Sequence, residues 1–427
     1  MKFASTTALA LALALGAVAV TGATPAAAKK TESATPAKRN FSPAFVKAAQ
    51  PLQTALTAGD MAAAKAALPA AQAAASTDDD KFQVALIAYQ IAQKTNDQAG
   101  AATAVDAMLA SGKAPPELQT QLLSAQAQAA FNAGKFDVAD RAFTQLVQQK
   151  PNDADALISL AAVKSREGRN AEALPLVDQA IQAKKAANQP VDEDWYRRAL
   201  SIAYDGKMPA QTIKYGQLLA DAYPRADIWR LSLQTYRDTN RLDQQTDLDT
   251  LRLMRAANAL AGERDYYEYA NLALNKGFPG EAKAVIDTGT TSNMVDGKAL
   301  ATSKALAEIK AVAGPKVAAD KAELPALDKK ARAATDGKQA LLTGDVYLGY
   351  GQYAQAIDLY KVALQKGGID ANVAHLHLGE ALAHAGQKAE AAQALGSVTG
   401  ANQPLAQYWA IWAAKGSAPA APATAAR

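Results

Sequence analysis

A tight turn built around glycine or asparagine recurs along most of this sequence at intervals of 34 to 38 residues. The clearest example is NAGKFDVADRAF at 132–143, where Gly134 permits the left-handed backbone that ends one helix and an aromatic residue begins the next. A repeat of this length holds two helices and a turn, so the pattern predicts a chain of stacked helix pairs. The predicted turns lie at Gly59, Asn96, Gly134, Gly168, Gly206, Asn240, Gly277, Gly314, Gly351 and Gly386.

Residue types at fixed distances from each turn support the same division. Ala127 and Ala139 stand seven before and five after Gly134, where small side chains let two antiparallel helices touch. Phe143, nine after, fills the space between neighbouring pairs, and Pro151 stops the second helix. The same grid fits the turns at Gly168, Gly277, Gly351 and Gly386, and it fits poorly at Gly206, Asn240 and Gly314.

Composition agrees with packed helices and removes several classes of function. Of the 427 residues, 49% are apolar but only 6% are aromatic, so much of the apolar content is alanine, the strongest helix former. The formal net charge is +4, with 45 basic and 41 acidic residues and no long run of either sign, which argues against nucleic-acid binding. The sequence has no cysteine, which excludes disulfides, thiolate catalysis and cysteine-ligated metals.

The spacing and residue types of the clear units resemble those of the tetratricopeptide repeat, a helix-turn-helix motif of about thirty-four residues. The resemblance extends over 44–400 and is strongest in GYGQYAQAIDLYKVAL around Gly351. It implies an all-α fold, a right-handed α-solenoid of about ten stacked antiparallel helix pairs. It also implies a protein-binding role in which the first helix of each pair lines a concave groove.

The repeat and its edges predict nine segments along the chain. They are a signal peptide at 1–28, a disordered linker at 29–42, divergent helix pairs at 43–118, tetratricopeptide pairs at 119–187, repeat-like pairs with a groove at 188–296, an irregular helical pair at 297–336, two strong units at 337–400, a capping helix at 401–415 and a disordered tail at 416–427. The capping helix carries Tyr408, Trp409 and Trp412 on one stripe, which suits it to cover the last pair.

The first 28 residues have the features of a cleaved export signal. Lys2 precedes an apolar run from Ala8 to Val20, and Ala26 and Ala28 provide the small-x-small pattern that signal peptidase requires. The run is shorter than the about twenty residues that a membrane-spanning helix needs. We therefore expect cleavage after Ala28, a mature chain without stable membrane insertion, and a periplasmic or secreted location.

The remaining polar residues form no recognisable catalytic or metal-binding motif. His375, His377 and His384 fall on one predicted helix, but His377 and His384 are two turns and roughly 10 Å apart along its axis, too far to share an ion. His375 takes a large-residue position of the repeat and is expected in the core. Acidic clusters at 78–80 and 192–194 precede apolar segments and are expected to favour helix N-termini. The sequence thus predicts no metal, no cofactor and no enzymatic activity.

The candidate binding surface is the set of groove positions that the resemblance assigns, two, three, six, nine and ten residues before each turn. In the middle units these positions hold tyrosine, arginine and amide side chains, and tyrosine and arginine are common in binding hot spots. The arginines favour an acidic partner or a C-terminal carboxylate through bidentate pairing. The predicted contact residues are Tyr196, Arg197, Tyr204, Arg230, Gln234, Arg237, Tyr267, Asn271 and Asn275.

Three functions remain open on the sequence alone. A scaffold for protein or peptide partners is the first prediction, and a receptor for a small molecule or cell-wall fragment held in the groove is the main alternative. An enzyme is disfavoured because neither a nucleophile elbow nor an H-E-x-x-H motif is present. Crosslinked proteins, a ligand-induced thermal shift or substrate turnover would distinguish the three.

Overall fold

A computed structural model describes residues 39–295 and 300–417, and these ranges contain twenty α-helices, one short 3-10 helix and no β-strand. The predicted signal peptide, residues 29–38 of the predicted linker and residues 418–427 of the predicted tail lie outside the described residues. The all-α fold predicted from the turns is confirmed.

The helices follow one another with short connections. They are α1 (Pro43–Thr57), α2 (Met61–Ala74), α3 (Asp78–Lys94), α4 (Gln98–Ala110), α5 (Pro116–Asn132), α6 (Phe136–Gln149), α7 (Ala154–Arg166), α8 (Asn170–Ala186), α9 (Glu193–Asp205), α10 (Pro209–Ala222), α11 (Ala226–Thr239), α12 (Gln244–Ala256), α13 (Gly262–Asn275), α14 (Pro279–Thr291), α15 (Leu300–Ala333), α16 (Lys338–Gly349), α17 (Tyr353–Lys366), α18 (Ala371–His384), α19 (Lys388–Gly396) and α20 (Gln403–Lys415). The chain forms two compact units, the first ending at Val84 and the second beginning at Ala85.

Most of the predicted turns occur where the sequence places them. Seven of the predicted turn residues have a positive φ, between 55° and 85°, which is the left-handed conformation that ends the first helix of a pair: Gly59, Asn96, Gly134, Gly168, Gly277, Gly351 and Gly386. At the predicted Gly206 turn the left-handed residue is Lys207, with φ of 52°, one position later. Asn240 is extended instead, with φ of −110° and ψ of 142°, and Asp243 caps the following helix.

The predicted turn at Gly314 is wrong. A single helix, α15, runs for 34 residues through this glycine and through Pro315 and Pro325. Its buried positions, which include Leu306, Ile309 and Ala313, keep a helical spacing up to the glycine. Packing against α13, α14 and α16 therefore outweighs the weak local turn signal. The described residues form nine helix pairs, and α15 takes the place of the pair that was predicted around Gly314.

In the first unit, a buried carboxylate fixes the chain before α1 to the start of α3. Asp80 is 0% exposed and accepts hydrogen bonds from the Ser42 amide at 3.0 Å, the Ser42 hydroxyl at 2.7 Å and the Thr77 amide at 3.0 Å. The guanidinium of Arg39 lies 4.1 Å from the centre of the Phe82 ring. Residues 39–42, which the sequence analysis assigns to a disordered linker, are thus held by specific contacts.

Replacing Asp80 with alanine is expected to destabilise the first unit by about 1–3 kcal/mol, because several buried donors lose their acceptor. Burial alone would raise the pKa of Asp80, but hydrogen bonds from the Thr77 and Ser42 backbone and the Ser42 side chain lower it to about 2. The stabilisation is therefore present above the pKa of the unfolded carboxyl, about 4, and is lost as the pH falls towards 2. Hydrogen exchange of the α1 amides measures both effects. Asp78→Ala, which removes only an exposed ion pair with Lys81, should leave this exchange unchanged.

In the second unit, helix pairs pack in chain order from α4 to α20, as in the predicted α-solenoid. The last helix, α20, covers α18 and α19 and also packs against α10 and α12, far earlier in the chain. Tyr408 of α20 is fully buried, with its ring 6.4 Å from that of Trp229 and 5.8 Å from that of Tyr236. The chain from α10 to α20 therefore closes on itself.

Helix α12 lies inside this closed part. Residues 248–254 are all buried, so the helix is covered on every side. A helix in such a position is usually apolar all round. Asp249 and Arg252 nevertheless lie on it, at 1% and 4% exposure, so their charges must be paired within the protein.

Candidate functional site

Arg252 of α12 is paired with carboxylates on two sides. Its Nε and Nη2 donate to the two oxygens of Glu281 on α14, at 2.8 and 2.7 Å, and its Nη1 donates to Asp249 at 2.9 Å. The hydroxyl of Tyr269 on α13 donates to Glu281 at 2.8 Å. Bidentate, charge-assisted pairing of this kind is among the strongest side-chain interactions in proteins.

His377 of α18 links α12 to α16. Its Nε2 lies 3.1 Å from Asp249 of α12, and its Nδ1 lies 2.7 Å from Asp345 of α16. The hydroxyl of Tyr360 on α17 donates to the same Asp345 oxygen at 2.8 Å. Because both ring nitrogens face carboxylate oxygens, the imidazolium form, which donates from both, is the form that satisfies this geometry.

Electrostatics agree with a protonated His377. Burial alone would lower the pKa of His377, but Asp345 and Asp249 raise it well above its usual value. Conversely, burial would raise the pKa of Asp249, and His377 together with Arg252 lowers it. Asp345, His377, Asp249 and Arg252 therefore form a buried chain of alternating charge.

Glu380, one helical turn after His377 on α18, is the exception. It is 2% exposed, and its Oε2 has no hydrogen-bond partner. Burial raises its pKa to about 8, with the charges of Asp249 and Glu281 adding to the effect and Arg252 and His377 opposing it. The raised pKa therefore favours the neutral form of Glu380 at pH 7 in the folded protein.

We name these residues the buried-charge cluster: Asp249, Arg252, Glu281, Asp345, His377 and Glu380. The histidine prediction needs a correction here, because His377, at 0% exposure, is the core histidine, and His375 is only half-buried. Within the described ranges, no group of His, Asp or Glu side chains is arranged to hold a metal ion. With all six members buried, the arrangement holds helices together and offers no contact to a partner.

Three members of the buried-charge cluster occupy groove positions of the repeat. Glu380 and His377 lie six and nine residues before Gly386, and Asp345 lies six before Gly351. The predicted contact residues come only from the middle units and so do not include these three, although the same register identifies them. Of these three groove residues, His377 contacts α12 of the same chain, through Asp249.

The predicted contact residues lie on α9, α11 and α13, the first helices of three successive pairs, and they differ in exposure. Tyr204 is 47% exposed, and Gln234 and Asn275 are also exposed. Tyr196 is a core residue at 4% exposure. The other predicted contacts are half-buried: Arg197, Arg230, Arg237, Tyr267 and Asn271.

The predicted arginines are already engaged with carboxylates of the same chain. Arg197 contacts Glu193 at 2.6 Å and Asp227 of the next pair at 3.3 Å. Arg230 of α11 pairs with Asp265 of α13. Arg237 of α11 contacts Asp247 at 2.7 Å and Glu268 of α13 at 3.1 Å. The pairs with Asp227, Asp265 and Glu268 link neighbouring first helices, and all of these ion pairs use the donors that were predicted to bind an acidic partner.

Of the comparisons with known proteins, only the one with solved structures finds similar chains. No family model matches it, and no curated protein matches it. Among solved structures, a tetratricopeptide repeat protein from Parabacteroides merdae is 12% identical, covers 78% of this chain and 97% of its own, and has a TM-score of 0.30. The structure of Naa15/Naa10 bound to HypK-THB is 11% identical, covering 87% of this chain and 68% of its own with a TM-score of 0.33. PilF of Pseudomonas aeruginosa is 16% identical, with coverages of 54% and 97% and a TM-score of 0.27.

Proposed function

We propose that this protein is a non-catalytic scaffold that binds protein or peptide partners outside the cytoplasm, through the exposed groove positions of α9, α11 and α13. One observation carries the proposal. Tyr204, Gln234 and Asn275 are exposed and occupy groove positions on three successive first helices, whereas the polar groove residues Asp345 of α16 and His377 and Glu380 of α18 are buried. The middle units thus expose polar groove side chains of the kind that the last two units bury.

The chemistry of this surface favours an uncharged, extended segment as the ligand. The arginines beside it are neutralised by carboxylates, so the free hydrogen-bonding groups are the amides of Gln234, Asn271 and Asn275 and the phenol of Tyr204. Each amide side chain offers both donors and an acceptor, which matches the alternating N–H and C=O groups of a peptide backbone. Tyrosine adds contact area at little entropic cost.

Export is part of the same proposal and is supported by the sequence. Lys2, the apolar run and the alanines at 26–28 form the three regions of a signal peptide. If the signal is cleaved as proposed, the mature protein from the exporting cell begins at Lys29, and N-terminal sequencing of that protein tests this. Separately, none of the described helices is both long and apolar enough to cross a bilayer.

Binding is tested with a photoreactive amino acid placed at position 204 or 234 in the exporting cell. We expect crosslinks to a discrete partner from both positions, and none from position 211, an exposed residue of the second helix of the same pair. With the captured partner purified, Tyr204→Ala combined with Gln234→Ala should weaken its binding by about tenfold or more, because both side chains contact it. The matched control Gln211→Ala should leave the affinity unchanged.

Two outcomes would reject this proposal. Equal crosslinking from position 211 would mean that the surface is not selective, and unchanged affinity in the double variant would remove the assigned residues. A thermal shift with glycan fragments, without any crosslinked protein, would favour the receptor alternative instead.

A further inference from the structure

We propose that α12 is held in the closed part of the second unit by a proton-dependent lock, in which loss of protons from His377 and Glu380 releases the helix. The lock is separate from the exposed surface on α9, α11 and α13. Its parts are the buried-charge cluster and the helix that the cluster secures.

Helix α12 is bound by a groove residue of the same chain, His377. His377 of α18 contacts Asp249 of α12 across 128 residues of sequence at 3.1 Å. The segment before the helix, with Asn240 and Asp243 both in extended conformation, is not helical, and Asn258 after it takes a left-handed turn with φ of 54°. Non-helical connections at both ends let a helix move as a unit when its side-chain contacts fail.

The number of charges in the cluster depends on two protons. With His377 and Glu380 protonated, the cations of Arg252 and His377 face the carboxylates of Asp249, Glu281 and Asp345. After both protons are lost, Glu380 joins these carboxylates, and Arg252 is the one cation left in the cluster. Uncompensated negative charge in a buried site is strongly unfavourable, so deprotonation opposes the closed arrangement.

The surrounding groups do not offset this change. Tyr269 of α13 and Tyr360 of α17 face the cluster, and burial raises the pKa of each well above its usual value, so both stay neutral. Gln245 donates to Asp249 and carries no charge. His384, near Arg255, stacks on Tyr353 at 4.7 Å, and burial with the charges of Arg255 and Arg252 lowers its pKa to about 4, so it too is neutral near pH 7.

The direction of the pH dependence follows from the two groups that hold protons. Both His377 and Glu380 have pKa values that are raised in the closed state. Their protons stabilise the closed state relative to an open state in which both side chains have ordinary pKa values. The stability of the closed state therefore falls as the pH rises. For Glu380 the stability of the closed state begins to fall above about pH 4.5 and falls until about pH 8. For His377 it begins to fall above about pH 6.5. The lock therefore closes in mild acid and loosens in mild alkali.

Hydrogen exchange of the α12 amides, corrected for intrinsic rates, measures the opening of the lock between pH 6.5 and 8. Each proton lost on opening makes the opening constant rise about tenfold per pH unit, so the two protons together give a dependence steeper than tenfold. Glu380→Gln keeps the shape and removes one proton, and we expect its slope to fall to about tenfold per unit. His375→Gln, half-buried on the same helix, should keep the original slope.

A second measurement needs no variant. Histidine NMR of the unmodified protein should show that the His377 ring loses its proton at a higher pH than an ordinary histidine, because its pKa is raised. Opening of α12 that is independent of pH, a slope unchanged by Glu380→Gln, or a neutral His377 ring at pH 7 would each overturn the proposal.

Discussion

Replacing Arg252 with alanine is expected to lower the free energy of unfolding of the second unit by about 3–5 kcal/mol. The guanidinium is the cation that both Glu281 and Asp249 contact, and all three groups are buried. Without it, two carboxylates remain in a site where water cannot reach them. Chemical denaturation followed by circular dichroism measures the loss.

Arg255→Ala is the matched control for Arg252. Arg255 lies one turn further on α12, is half-buried, and makes a 3.3 Å hydrogen bond to Thr288, so its loss should change stability by about 1 kcal/mol or less. Combining Arg252→Met with Glu281→Gln removes one of the two carboxylates that lose their partner and should restore part of the stability. Equal effects of Arg252→Ala and Arg255→Ala would mean that the buried pairing contributes nothing.

Removing the side chain of Trp409 is expected to have an effect of similar size. Trp409 is 0% exposed and fills the space between α20 and α18, with its ring 5.6 Å from His384 and 5.5 Å from Trp412. Trp409→Ala should lower the free energy of unfolding by about 3–5 kcal/mol, because a large cavity remains. Thermal denaturation measures this, and Trp412→Ala, at a half-buried position, should have a smaller effect.

His384 provides a second readout for Trp409→Ala. Burial is the main reason that the pKa of His384 falls to about 4, and the tryptophan ring is part of what buries it. Its pKa should therefore rise towards 6.5 in the variant, which NMR titration detects. A large loss of stability with an unchanged His384 would indicate a general weakening of the helix instead of a local cavity.

Local signals in the sequence were sufficient for the helix pairs. A left-handed turn and two small residues at fixed distances are properties of a short stretch of chain, and seven predicted turn residues have the expected conformation. The prediction of a turn at Gly314 was wrong because the local signal there did not decide the structure. Glycine permits a turn without requiring one, and the apolar spacing of α15 continues through it.

The buried position of α12 could not be predicted from its own sequence. QQTDLDTLRLMRA has the mixed polarity of a surface helix, and its polar side is buried by residues of α14 and α18 that lie 29 and 128 positions away. Likewise, spacing alone placed His375 in the core, whereas His377 lies nine residues before Gly386, at a groove position. The contact of His377 with Asp249 and Asp345 decides between them, and that contact depends on how distant pairs meet.

The return of α20 to α10 changes what kind of repeat protein this is. In an open array each unit contacts only its neighbours, so units can be gained or lost one at a time and can unfold one at a time. Here Gln217 of α10 donates to the carbonyl of Pro404, 187 residues later, at 3.1 Å. A unit inserted or deleted between them would break this contact, so the number of repeats from α10 to α20 is fixed. We therefore expect that stretch to unfold as a single cooperative domain, although it is made from repeat units.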